Sequence, residues 1–60
     1  MKTADELYYE VASRGVDKYT NDELVSICQA ILDTPGDQTL AIYYAKRDGW
    51  WKDPQHSLNH

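Results

Sequence analysis

Sixty residues with ten acidic and six basic side chains give a net charge of −4, with one cysteine and no apolar run approaching a membrane span. That composition rules out an internal disulfide and argues against direct binding of a nucleic acid backbone, which needs clustered Lys or Arg. At this length only about 60% of the unfolded chain's surface is buried on folding, so the domain is marginally stable and each large side chain counts.

The N-terminus has no apolar signal core and carries Asp5, Glu6 and Glu10, while Cys28 stands alone. Both features predict a soluble protein of a reducing, cytoplasmic compartment. No repeat or linker divides the chain, which predicts one domain over residues 1–60. The charge is uneven: residues 17–33 set Lys18 against Asp17, Asp22, Glu23 and Asp33, while residues 34–60 balance. An acidic front half suits a partner protein with a basic surface; its plainer use is solubility.

The first start signal is Thr3-Ala4-Asp5-Glu6. Thr3 can accept from the amide of residue 6 while Glu6 reaches back to the amide of Thr3, a capping box. Ala4, Leu7, Tyr8, Val11 and Ala12 then share one face at helical spacing. Arg14 suits the last turn and Gly15 a left-handed stop against which Val16 packs back. The predicted helix is 4–14.

Thr20-Asn21-Asp22-Glu23 repeats the box. Leu24, Ile27, Cys28, Ile31 and Leu32 form the stripe, with Val25 at its margin, and the predicted helix is 21–33. Thr34-Pro35-Gly36-Asp37 opens a third helix at 37–48, with Thr34 or Asp37 as its cap and Pro35 suited to the first turn. Lys46 and Arg47 complement the C-terminal dipole and Gly49 ends it. The short connection predicts that the second and third helices pack antiparallel. The third is apolar most of the way round: Leu40, Ala41, Tyr44 and Ala45 make one face, flanked by Ile42 and Tyr43. Such a helix is central in its bundle or used by a partner. The expected fold is therefore an all-α three-helix bundle with an irregular C-terminal tail, frayed over 54–60.

Three aromatic doublets stand out: Tyr8-Tyr9, Tyr43-Tyr44 and Trp50-Trp51. Neighbouring helical residues point about 100° apart, so Tyr8 and Tyr44 are expected inside and Tyr9 and Tyr43 outside or to the side. One Trp closes the end of the core and the other stays at the surface. Two uses of the surplus rings stand nearly level: cover for a core too small to hide them, or a docking patch, since Tyr and Trp dominate binding hot spots.

Catalysis is not expected. His56 and His60 are four apart but have no third ligand, so no metal site is predicted. Cys28 sits on the apolar stripe without a histidine in the helical region to activate it. The carboxylates are accounted for by caps and helix dipoles, no phosphate loop is present, and the chain leaves no room for a pocket of about 300 Å³ or more. No cofactor is expected.

Two stretches, YTNDEL at Tyr19–Leu24 and GDQTLAIYYAK at Gly36–Lys46, resemble parts of the colicin and pyocin DNase immunity proteins. The resemblance implies a small acidic helical inhibitor that docks through Tyr43 and Tyr44. It covers under a third of the chain, Ala45 stands where that family has proline, and the acidic helix between the two stretches and the family's final helix have no counterpart.

The functional expectation is a protein-binding regulator or inhibitor of a basic partner. Tyr9, Tyr43, Trp50 and Trp51 form its docking surface, and Asp22, Glu23 and Asp37 steer association. The alternative is a structural homodimer with the third helix as its seam.

Overall fold

The computed structural model describes residues 2–54 and contains three α-helices and no strand among them. Helix α1 spans Ala4–Arg14, α2 spans Asn21–Asp33 and α3 spans Thr39–Asp48, with a single 3₁₀ turn at Val16–Lys18 between the first two.

Both capping boxes form. Thr3 Oγ1 accepts from the Glu6 amide at 3.1 Å and Glu6 Oε1 accepts from the Thr3 amide at 2.8 Å. Thr20 and Glu23 repeat the arrangement at the same distances. Each box satisfies two amides that the helix itself leaves unpaired, which is why both N-termini begin where the sequence predicts. The Gly15 amide closes on Val11 O at 2.9 Å, and Val16 packs against the core. The 3₁₀ turn was not anticipated.

The third helix begins at Thr39, two residues later than expected. Asp37 Oδ1 accepts from the Thr39 amide at 2.9 Å, making a local turn ahead of the helix. Gln38 reaches back to the carbonyls of Leu32 and Thr34, tying this turn to the end of α2. Thr34 caps the C-terminal end of α2, and its hydroxyl donates to Ala30 O at 2.6 Å. Pro35 therefore lies in the connection, outside the helix.

Helix α1 is the spine: α2 and α3 both pack more closely on it than on each other. This corrects the expectation that α2 and α3 pair antiparallel, because the connection joins their ends without aligning their faces. Ala4, Val11, Leu24, Cys28, Ile31, Ala41, Ala45 and Trp50 are buried together. Small residues at Ala4, Ala41 and Ala45 let α3 approach α1 closely, and Leu7, Tyr8 and Ile42 pack around them. Ala12 is exposed, outside the face assigned to it.

The last turn of α3 explains the position of Trp50. Gly49 adopts φ +86°, ψ +10°, a left-handed conformation open to glycine at little cost. Its amide bonds to Lys46 O, and the Trp50 amide bonds to Ala45 O at 3.2 Å. This Schellman closure reverses the chain and lays Trp50 against Ala45, inside the core. Trp51 is half-buried beside it, and Pro54 is buried, so the chain is packed one residue into the segment expected to fray. His56 and His60, and the rest of that segment, lie outside the described residues.

Ionisation follows from the caps. The Thr3 amide holds the Glu6 carboxyl below its usual range, the Lys2 ammonium does so for Glu10, and the Thr39 amide for Asp37. A carboxylate depressed in the folded state adds stability above its unfolded pKa, and that stability is lost as the pH falls through its folded value. Burial pushes the Cys28 thiol up, and donation to Asp48 pushes the Tyr8 hydroxyl up; their contributions are lost as the pH rises through the raised values. The melting temperature is thus expected to be flat between about pH 5 and 8 and to fall on both sides, below about pH 4 and above about pH 9. A melting temperature that climbs on acidification would contradict the assignment.

Candidate docking surfaces

The rings of α1 and α3 form a ladder from core to solvent. Trp50, only 2% exposed, stacks on Tyr8 with centroids 6.1 Å apart and planes 11° apart. Tyr8 lies 5.6 Å from Tyr44, and Tyr44 meets Tyr43 edge to face at 5.4 Å. Tyr8 donates its hydroxyl hydrogen to Asp48 Oδ2 at 2.7 Å, while Arg47 sits 4.8 Å above the Tyr44 ring and donates to Asp48 Oδ1. The two middle rings, Tyr8 and Tyr44, each have a ring neighbour on both sides.

The ladder ends in solvent. Tyr43 is 59% exposed, and Leu40, three residues earlier and so beside it on the helix surface, is 53% exposed. Leu40 was expected to face the core; Ala41 and Ala45 occupy that position instead, since only small side chains fit the close α1–α3 approach. Tyr9 is 71% exposed and makes no ring contact among the described residues.

A second feature lies on α2. Tyr19, Asp22, Glu23, Ser26 and Ile27 line an open groove of about 360 Å³, largely apolar in its walls. The chain therefore has room for a groove of this size, contrary to the sequence expectation, although it is broad and open where an enzyme pocket would enclose its ligand. Glu23 Oε1 is committed to the cap. The Asp22 carboxylate has no hydrogen bond or ion pair among the described residues. The Tyr19 hydroxyl is buried without a partner among the described residues.

A buried hydroxyl with no partner costs about 1–3 kcal/mol. Tyr19→Phe is accordingly expected to stabilise the domain by about 1 kcal/mol, raising its melting temperature by about 4–8 °C. A fall in melting temperature would show that the hydroxyl is satisfied.

The predicted docking residues thus separate. Asp22 and Glu23 come together on the groove, and Tyr43 stands at the end of the ladder with Tyr44 half-buried behind it. Asp37 is exposed but engaged in its turn. Trp50 leaves the docking set because it is part of the core, and Trp51 is half-buried against that core. Leu40 and the groove residues Tyr19, Ser26 and Ile27 were missed. The spacing 19, 22, 23, 26, 27 is that of one helix face and could have shown the second group.

Cys28 is buried, with its Sγ accepting from the Lys52 amide at 3.3 Å. Among the described residues no group of three potential metal ligands is present, and no helix is long and apolar enough to cross a membrane. The chain matches no family model, no curated protein and no solved structure.

Proposed function

We propose that this chain is a small acidic helical protein-binding module, a regulator or inhibitor that docks on a basic partner through the exposed edge of α3. One observation carries the reading: Leu40 and Tyr43 stand side by side in solvent, on a helix whose other aromatic ring is braced by Tyr8 and Arg47. A tyrosine on a rigid helix offers a large contact area with only two side-chain torsions to order, so less entropy is lost on binding. The paired tyrosines of the immunity-protein resemblance fall on this element, with Tyr43 the accessible member.

Asp22, Glu23 and Asp37 steer association, within a net charge of −4. Asp22→Lys combined with Glu23→Gln tests this, because glutamine preserves the cap. The expected result, by stopped-flow kinetics against the partner, is a slower on-rate and a shallower salt dependence. Indifference to both salt and charge would overturn the steering.

The same edge supports a second reading, a homodimer through α3. Asp37 lies before the helix and Lys46 and Arg47 at its end, so two copies crossing antiparallel would set opposite charges against each other. A ten-residue helix is only about 15 Å long, and one face of it falls short of the roughly 1,200 Å² of a stable interface. Monomeric sedimentation at micromolar concentration would remove the dimer.

A further inference from the structure

We infer that the α2 groove is a receptor for one arginine side chain, presented on an extended segment of a partner protein. The inference rests on the protein-binding reading but concerns a different face from the α3 edge.

The groove is built from one helix face and the residue just before it. From the cap at Thr20 to Ile27 the helix rises about 10 Å, the length of about three extended residues. Its apolar walls, the Tyr19 ring and Ile27, suit the methylene stem of a long side chain, which covers apolar surface while its charge stays wet. Its polar groups are acceptors matched to a cation. The Asp22 carboxylate is uncommitted, Glu23 keeps one oxygen beyond its cap, and Ser26 adds a hydroxyl. Among the described residues no basic side chain lines the groove; Lys18 belongs to the preceding turn.

Arginine fits better than lysine. Its planar fork can pair with a carboxylate through two hydrogen bonds while its face lies on an aromatic ring, whereas an ammonium is a compact, strongly hydrated point charge. The combination of apolar wall, free carboxylate and tyrosine ring selects for that shape as well as for positive charge.

The probe is the capped tetrapeptide acetyl-Ala-Arg-Leu-Ala-amide, titrated into the isotope-labelled chain and followed by amide NMR shifts. The expected result is saturable shifts confined to residues 19–27, with a Kd on the order of 1 mM or tighter. The citrulline analogue, equal in shape but uncharged, should bind about tenfold more weakly, and Asp22→Asn should weaken the arginine peptide to a similar degree at unchanged melting temperature. Tyr43→Ala should leave this titration untouched, so failure of the α3 docking reading and failure of the groove assignment are separately visible. No saturable shift, shifts centred on α3, or equal binding of the citrulline peptide would overturn the proposal.

Discussion

Trp50→Ala is expected to unfold the domain. Removing a buried Trp costs about 3–5 kcal/mol, while a chain of this length has only about 3–9 kcal/mol of stability in total. Trp50 fills the space that Ala41 and Ala45 leave at the end of the core and gives Tyr8 a stacking surface. Its loss opens a cavity where α1 meets α3. A variant that still melts does so at least 12 °C lower, at about 4 °C or more per kcal/mol. Trp51→Ala supplies the comparison: its half-buried ring has less area to lose, so the drop is smaller. Equal melting temperatures for the two variants would show that Trp50 does not close the core.

Tyr43→Ala is expected to have the opposite profile. Its ring meets Tyr44 edge-on and is mostly exposed, so folding stability should change by no more than about 0.5 kcal/mol. Affinity for the partner should fall at least about thirtyfold, the loss of a hot-spot residue worth about 2 kcal/mol or more. Tyr44→Ala distinguishes a docking role from a bracing one: it removes the contacts to Tyr8 and Arg47 and is expected to lower both stability and affinity. If Tyr43→Ala leaves binding intact while Tyr44→Ala abolishes it, the exposed ring has no part in recognition.

What was legible in the sequence was local. Two Thr-x-x-Glu boxes place the starts of α1 and α2 to the residue, because a cap is a hydrogen-bond pattern completed within four residues. The start of α3 was less clear because Asp37 bonds two residues ahead, making a turn where a helix cap was expected. Which Trp enters the core depends on the Schellman closure at Gly49, and only the closed chain shows which indole it turns inward.

The face of α3 was misjudged for a tertiary reason. Leu40 is the more hydrophobic residue, but α3 turns Ala41 and Ala45 to α1 because close approach of two backbones favours small side chains over large ones. The role of α1 as the spine was hidden likewise, since chain order put α2 beside α3. The docking residues were half visible: Tyr9 and Tyr43 were correctly placed outside by their phase, while the groove at Tyr19–Ile27 needed the third dimension to be seen.

Amide cross-saturation in the complex with the partner protein tests the docking assignment most directly. The account predicts that signals of Leu40, Tyr43 and Tyr44 attenuate strongly while Ala12 and Ser13, exposed on α1, keep their full intensity. Attenuation centred on α1, with α3 untouched, would contradict it.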